Sequence, residues 1–187
     1  AGRLEAEAVA TAPHRIAADV VHTLQDRAEQ KGLALEIEFP QALPATIQCD
    51  PARLRQILTN LIGNAIKFTE QGSVRLILTL DRRAALYRLE VKDSGIGIPA
   101  DKLESVFEPF VQAEASTTRR FGGTGLGLTI SRGFARAMGG DIVASSNYGH
   151  GTSFSLSLPV GDIDGVEMLD PSLLRDSLTA VAAQIVV

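Results

Sequence analysis

The chain has 187 residues, 45% of them hydrophobic, which suits one domain with a buried core and short appendages. Its formal net charge of −4 argues against non-specific nucleic-acid binding, which requires a basic surface. No apolar run approaches the length that crosses a bilayer and no signal peptide is visible, so we expect no membrane contact. The single Cys49 excludes an internal disulfide and fits a reducing, cytoplasmic compartment. Because the sequence begins at Ala1 and not at an initiator methionine, we expect it to be a piece of a longer protein.

The first half of the chain predicts two helices and two strands. Apolar residues recur at helical spacing over 14–31, and strict alternation over 33–39 predicts a half-buried strand. Residues 44–48 allow another short strand. The pair Asp50-Pro51 marks the start of a helix that runs to about residue 68, with an N-cap followed by proline at the first position.

The second half predicts an antiparallel hairpin, a short helix introduced by the capping-box pair Asp101 and Glu104, a longer helix, two strands and a last helix. These elements cover residues 74–80 with 87–91, 101–107, 125–138, 141–145, 152–158 and a stretch from Pro171. We predict an α/β (α+β) two-layer sandwich. Its single mixed, mostly antiparallel sheet carries the helices 14–31, 51–68 and 125–138 on one face.

The segment 121–130 contains four glycines within six residues and passes directly into helical spacing. Unpaired N–H groups at the start of a helix favour an anion, so the run predicts a phosphate site. The alternative is a flexible surface linker, but a linker needs no apolar residues between its glycines. The preceding polar stretch 112–120 has no periodicity, which is typical of a mobile lid beside such a site.

Two asparagines, Asn60 and Asn64, lie one turn apart beside the apolar stripe of the helix 51–68. The alternative is an ordinary solvated face. Asparagine is a poor helix former, however, and Glu or Lys would serve solvent as well. The amide oxygens could instead coordinate a hard cation such as Mg²⁺.

Asp93 ends a predicted strand and precedes Gly95-x-Gly97. Its carboxylate can point into a pocket and accept a hydrogen bond from an exocyclic amine such as that of adenine. The alternative is that it caps the turn, which is common for aspartate before glycine. The spacing Gly95-x-Gly97 also fits a dinucleotide-binding motif, but we reject this interpretation because no βαβ unit follows. A P-loop is excluded as well, since neither glycine run contains Gly-Lys-Ser/Thr.

Five motifs in this order resemble the ATP-binding catalytic domain of sensor histidine kinases, in the GHKL superfamily of Bergerat-fold ATPases that includes DNA gyrase B, MutL and the heat-shock chaperone ATPases. Phe107 and Phe110, with the Gly-Thr-Gly-Leu-Gly-Leu stretch, favour the kinase branch. The resemblance covers roughly residues 14–160. The motifs are Asn60-x-x-x-Asn64-Ala65-x-Lys67-Phe68, Asp93-x-Gly95-x-Gly97, Phe107-x-x-Phe110, Gly123-x-Gly125-x-Gly127 and Gly149-x-Gly151-Thr152.

The resemblance implies roles for three residues of the helix 51–68. Asn64 would be the Mg²⁺ ligand and Lys67 would contact a phosphate. Asn60 stands where the hydrolytic ATPases of this fold carry a glutamate that activates water. An amide cannot act as a general base, so poor hydrolysis and favoured phosphoryl transfer are expected, with Asn60 and Lys67 among the catalytic residues.

The same resemblance assigns the rest of an ATP site. Asp93 would hold the adenine amine, directly and through water with Thr152, and Gly95 and Gly97 would let the backbone approach the base. One of the lid arginines, Arg119 or Arg120, would reach the γ-phosphate. The remaining nucleotide contacts would come from Phe110, Gly123, Thr124, Gly125, Leu126 and Gly127.

The implied reaction is transfer of the γ-phosphoryl group of Mg-ATP to a histidine on a separate dimerisation domain, followed by relay to an aspartate of a response regulator. No phosphoacceptor box of the His-Glu/Asp type occurs in this sequence, and residues 1–13 resemble only the exit from such a domain. The tail 161–187 is either a linker to a receiver domain or an appended remnant. A different ATPase or serine kinase of this fold, and a non-catalytic ATP sensor, remain as alternatives.

Overall fold

A computed structural model describes residues 5–111 and 127–184. The helices are α1 (Pro13–Gln30), α2 (Pro51–Phe68), α3 (Gly127–Ala137) and α4 (Pro171–Gln184). The strands are β1 (Val9–Thr11), β2 (Ala34–Glu38), β3 (Leu43–Pro44), β4 (Ile47–Cys49), β5 (Ser73–Asp81), β6 (Leu86–Asp93), β7 (Asp141–Asn147), β8 (Gly151–Pro159) and β9 (Met168–Leu169). Two short 3-10 helices span Ala100–Lys102 and Ser105–Phe107.

The main sheet has five strands in the order β2-β5-β6-β8-β7. Only its β2–β5 pair is parallel, and the other three pairs are antiparallel. Two further antiparallel pairs, β1–β4 and β3–β9, lie outside this sheet. The predicted mixed, mostly antiparallel sheet is therefore confirmed.

The core lies between one face of this sheet and the helices. Burial alternates along β5 and, from Thr152 onward, along β8, so each strand turns every second side chain towards the helices. The apolar stripe of α2 packs onto that face, with Leu54, Ile57 and Leu58 fully buried. The side chains on the opposite face of the sheet are mostly polar and only partly buried, which agrees with the two-layer sandwich.

The start of α2 is fixed by Asp50, as predicted. Its Oδ1 accepts a hydrogen bond from the backbone N–H of Arg53 at 3.1 Å, and Pro51 follows at the first helical position. The second oxygen, Oδ2, accepts from the N–H of Glu7 at 3.0 Å, so the same carboxylate also holds the incoming chain. The guanidinium of Arg53 then covers the ring of Phe134 on α3 at 4.6 Å.

The segment after β8 packs against the domain. Strand β9 pairs with β3, and the N–H of Ala45 donates to the carbonyl of Glu167 at 2.8 Å. Helix α4 begins at Pro171, as predicted, and lies against α1 with Leu174 fully buried. The helix extends to Gln184, at the end of the described range.

Two local predictions need correction. Asp101 and Glu104 do not form a capping box, because the first 3-10 helix is capped by Pro99 without a side-chain hydrogen bond and ends at Lys102. A three-residue helix offers no N3 position for a reciprocal cap. The single strand expected over 44–48 is divided between β3 and β4, which pair with different partners. Among the helices that the structure describes, none has the length and hydropathy to span a bilayer.

Candidate functional site

Asp93 lies half-buried at the end of β6, where the chain leaves the sheet. Its Oδ1 accepts hydrogen bonds from the N–H groups of Gly95 at 2.9 Å and Thr152 at 3.3 Å. Burial raises the pKa of this carboxyl group, while the two N–H donors act in the opposite direction. The Oδ2 atom accepts no hydrogen bond from any residue in 5–111 or 127–184 and can receive one from a ligand.

The two glycines after Asp93 leave no room for side chains. A Cβ atom on Gly95 would stand 2.5 Å from the carbonyl oxygen of Phe68 and 2.9 Å from the Asp93 Oδ1. Gly97 has a φ of +73°, and a Cβ atom there would stand 2.6 Å from the carbonyl oxygen of Asn147. Both positions therefore require glycine, and the bare backbone forms one wall of the space beside Asp93.

Thr152 and Ser146 form the other side of the same corner. Thr152 is 7% exposed, and its hydroxyl lies 3.1 Å from that of Ser146. Ser146 also donates to the carbonyl of Gly151 at 2.8 Å and accepts from the N–H of Ile98 at 2.7 Å. These bonds tie β7, β8 and the loop after β6 together, so the Asp93 corner is held from three sides.

The exposed face of α2 forms the floor of an open groove of about 590 Å³. Asn60, Asn64 and Lys67 lie along it at the helical spacing that places them on one edge. The groove is also lined by Arg27, Ala52, Arg55, Gln56, Thr59 and Gly63. Three cationic side chains and three amides make this face suited to an anion.

Helix α3 meets this face at Asn60. The Nδ2 of Asn60 donates to the hydroxyl of Ser131 at 2.9 Å. A Cβ atom on Gly127 would stand 2.6 Å from the Asn60 Oδ1, so the last glycine of the glycine-rich segment lies directly on the amide. The structure thus brings together Asn60 and Gly127, which the sequence analysis assigned to one site.

Helix α2 connects this contact with the Asp93 corner. Its last carbonyl, that of Phe68, accepts from the N–H of Ile96 at 3.4 Å. Asn60 and Phe68 are eight residues apart, or about 12 Å along the helix axis. The Nζ of Lys31 donates to the carbonyls of Ile66 and Lys67 and secures this end of the helix. Helix α2 therefore contacts the start of α3 through Asn60 and the loop after Asp93 through the Phe68 carbonyl.

A cluster around Phe107 supports the start of α3. The Phe107 ring packs edge-on against Phe154, with centroids 6.1 Å apart, and its carbonyl accepts from the Thr129 hydroxyl at 2.8 Å. The guanidinium of Arg132 covers the same ring at 4.6 Å and pairs with Asp141 through two hydrogen bonds. Phe107 therefore connects the helix α3 to the sheet.

Phe110 differs from Phe107. Its side chain is 75% exposed and its φ is +63°, a strained value for a residue with a side chain. Its assignment to the nucleotide site stays a prediction. The remaining assigned residues lie outside the described ranges: Arg119, Arg120, Gly123, Thr124, Gly125 and Leu126.

A divalent cation fits this donor set only together with an anionic ligand. No cluster of three or more His, Cys, Asp or Glu side chains that could hold a metal occurs among the described residues. The groove offers the amide oxygen of Asn64 instead. Mg²⁺ typically takes one or two protein ligands and completes its shell with water and phosphate oxygens. The site thus suits a cation that arrives with a polyphosphate.

Sequence reasoning missed Ser131 and Ser146. Ser131 lies four residues after Gly127, so two small residues occupy one face of α3, a pattern that indicates close approach by another element. Ser146 gave no such signal, because it is one of many serines on β7 and β8. Its partner Ile98 is 48 positions away, and only the folded chain brings the two together.

Comparison with known proteins defines the class to which this fold and site correspond. A family profile described as "Histidine kinase-, DNA gyrase B-, and HSP90-like ATPase" matches residues 49–162, which is more than half of the chain. The chain belongs to this ATPase family. The matched range includes α2, the Asp93 corner and α3, so the family's defining region coincides with the site described above.

Two curated relatives identify the branch of the family. The autoinducer 2 sensor kinase/phosphatase LuxQ of Vibrio parahaemolyticus is 44% identical over 174 residues, covering 85% of this chain and 20% of the relative. The aerobic respiration control sensor protein ArcB of Escherichia coli K12 is 39% identical over 169 residues, covering 90% and 21%. The chain resembles the ATP-binding domain of sensor histidine kinases and spans about a fifth of these relatives.

Solved structures agree with this placement. Full-length ShkA in complex with AMPPNP superposes with a TM-score of 0.77 at 33% identity, covering 86% of this chain and 33% of that one. The catalytic domain of the histidine kinase ThkA superposes with a TM-score of 0.70 at 24% identity, covering 83% and 97%, and supports the fold alone. The predicted family and the predicted Bergerat-type fold are confirmed.

Proposed function

We propose that this chain is the catalytic part of a two-component sensor histidine kinase. It binds Mg-ATP and transfers the γ-phosphoryl group to a histidine on the dimerisation domain of its parent protein. The phosphoryl group then passes to an aspartate of a response regulator or receiver domain. The ATPase family match and the AMPPNP-bound structural relative support nucleotide binding.

One observation carries this proposal: the same helix, α2, contacts Gly127 through Asn60 and the loop after Asp93 through Phe68. Adenine would bind beside Asp93, where the free Oδ2 accepts from the exocyclic amine. The phosphates would lie along Asn64 and Lys67. Mg²⁺ would be held by the Asn64 oxygen and by the phosphates, and would neutralise charge on the group transferred.

The chain's own contribution to the reaction is positioning and charge. Among the described residues that line it, the groove carries amides and cations and no carboxylate that could act as a general base for water. Phosphoryl transfer requires little covalent chemistry from the protein, because alignment and electrostatic stabilisation dominate. The lid arginine, Arg119 or Arg120, would add charge at the γ-phosphate.

The parent protein would supply the remaining parts. Residues 1–13 would leave the dimerisation domain and 161–187 would lead towards a receiver domain. We place the reaction in the cytoplasm, with ATP or ADP, the phosphoacceptor domain and the regulator as partners. No role for nucleic acid or for membrane contact by this segment is proposed.

The test is to incubate the chain with γ-labelled ATP and the isolated dimerisation domain. We expect label on histidine, which is lost in acid and retained in base. Acid-stable label on serine would identify a serine kinase of the same fold. Phosphate release without protein label would identify an ATPase, and binding without either product would identify a nucleotide sensor.

The substitution Asn64→Asp tests the metal assignment. A carboxylate in place of the amide changes the ligand charge beside the phosphates, so we expect the Mg²⁺ dependence of ATP affinity to change while the fold is retained. Titration calorimetry across Mg²⁺ concentrations measures it. Gln30→Glu, on the exposed end of α1, makes the same change outside the groove and serves as control. Wild-type Mg²⁺ dependence in Asn64→Asp would place the ligand elsewhere.

A further inference from the structure

Ser131 has an unusual partner for a serine in a helix. Helical serines commonly turn their hydroxyl to a carbonyl of their own helix or to solvent. Ser131 is 2% exposed and instead accepts from the Asn60 Nδ2 on α2, 71 positions away in the chain. An alanine would fill this position equally well, so the contact with Asn60 is what a hydroxyl adds.

The other end of the Asn60 amide is confined as well. Its Oδ1 lies against Gly127, where a Cβ atom would stand 2.6 Å from the oxygen and 3.2 Å from Cγ. Asn60 therefore meets α3 through both halves of its amide, four residues apart on that helix. In this arrangement the amide nitrogen faces Ser131 and the amide oxygen faces Gly127.

The orientation matters because the amide nitrogen donates hydrogen bonds, whereas the amide oxygen accepts them. With Nδ2 engaged by Ser131, the amide presents its acceptor, Oδ1, on the Gly127 side, at the start of α3. Loss of the Ser131 hydroxyl would leave Nδ2 without its buried acceptor, and the half-buried side chain could then turn its nitrogen towards the groove. The groove would present a donor where it had presented an acceptor.

We propose that Ser131 is a positioning residue for phosphoryl transfer, which acts by holding the Asn60 amide in its working orientation against α3. This rests on the proposed function, since it assigns Asn60 to the reacting end of the ATP site. Because α3 begins at Gly127, the same contact fixes the end of the glycine-rich segment relative to α2. Asn60 and the start of α3 are thereby aligned together.

The main test is Ser131→Ala, measured for ATP affinity by calorimetry and for phosphoryl transfer to the dimerisation domain. Displacement of a reacting group lowers the rate of the chemical step more than it lowers substrate affinity. We therefore expect the phosphoryl-transfer rate to fall roughly tenfold or more, while the ATP affinity stays within about twofold of wild type. Ser131→Cys keeps a weak acceptor of similar size and should restore part of the rate. Ser131→Thr is unsuitable because its methyl group would enter a closed site.

A double-mutant cycle separates positioning from general packing. If Ser131 acts through Asn60, adding Ser131→Ala to Asn60→Ala should cause no further loss of transfer. Thr11→Val is the matched control, because it removes a buried hydroxyl that bonds Val9 and Cys49, far along the chain from Asn60. Thr11→Val should lower the unfolding midpoint, but it should not lower the phosphoryl-transfer rate selectively relative to ATP affinity, as Ser131→Ala does.

A spectroscopic measurement tests the contact independently of catalysis. The Asn60 side-chain amide should show one slowly exchanging proton by NMR, and Ser131→Ala should abolish that protection. Unchanged transfer in Ser131→Ala, additive losses in the double mutant, or an unprotected Asn60 amide in the wild type would each overturn the proposal. If the wild type shows the protected amide but transfers no phosphate to histidine, the proposed function fails while the contact stands.

Discussion

Two aspartates at strand ends of the same sheet experience opposite surroundings. Asp93, at the end of β6, has a raised pKa because burial desolvates its carboxylate, and the two N–H donors that it has within the described ranges only partly offset this effect. Asp141, at the start of β7, receives two hydrogen bonds from Arg132 and a further one from Arg136. The Arg132 hydrogen bonds are the main reason why the pKa of Asp141 is lowered to about 2.

The difference distinguishes the proposed ligand-binding carboxylate, Asp93, from a carboxylate that forms a structural ion pair, Asp141. The Asp141 pair fixes Arg132 over Phe107 and so holds α3 on the sheet. Asp93 receives no cation from the described part of the chain, which is costly for a desolvated carboxylate. Its charge can instead be matched by a ligand donor. Functional sites commonly retain such an unfavourable arrangement at some cost in stability.

The largest expected effect comes from Asp93→Asn. The amide oxygen can still accept from Gly95 and Thr152, but the amide nitrogen would face the donor amine of adenine. We expect ATP affinity to fall roughly 100-fold, as for loss of a hydrogen bond to a charged group. Calorimetry measures the affinity. Unchanged affinity would remove Asp93 from the site.

The stability of Asp93→Asn sharpens the comparison. A carboxyl group with a raised pKa in the folded state favours folding in its protonated form, so its charge lowers stability as the pH rises through that pKa. At pH 7 the neutral variant should unfold at an equal or higher urea concentration than wild type. Glu36→Gln, an exposed change on β2, controls for the loss of one charge.

An intermediate effect is expected from Gly95→Ala. The new Cβ atom would collide with the Phe68 carbonyl and with Asp93, and the first of these is backbone that cannot turn aside. Overpacking of this kind costs about 2 kcal/mol of unfolding free energy. It should also displace Asp93 and weaken ATP binding. Gly133→Ala on α3 has no atoms within 4 Å of the added Cβ, so it should leave ATP binding intact and should not lower stability. Equal stability of Gly95→Ala and wild type would contradict the packing argument.

The smallest effect is expected from Asp141→Asn. The pair is partly exposed, so its loss should cost only about 1 kcal/mol in urea unfolding at pH 7. Because the folded pKa is depressed, this contribution is present above the ordinary value and is lost as the pH falls from about 4 to about 2. The difference between wild type and variant should therefore vanish across that window. A difference that persists at pH 2 would show that the ion pair is not its source.

Much of the fold could be predicted from local patterns. The alternation of β5 and β8 and the apolar stripe of α2 gave the correct faces, because burial on one side imposes these periods. The Asp50-Pro51 signal gave the correct start of α2. The prediction of one short helix over 101–107 was wrong, because two 3-10 turns and a short helix share the same local sequence pattern. The packing of β9 and α4 could not be foreseen, since it depends on β3 and α1 more than 120 residues earlier.

By itself, the sequence determined the family and the residue types of the proposed ATP site, because its glycines, amides and strand-end acid occur at fixed spacings. The tertiary structure alone decided how those groups are oriented. The Asn60 amide is directed by Ser131, the Asp93 corner is tied by Ser146, and Arg132 is matched to Asp141. These contacts join separate elements, and hydrogen-bond direction and burial arise only when the layers pack together.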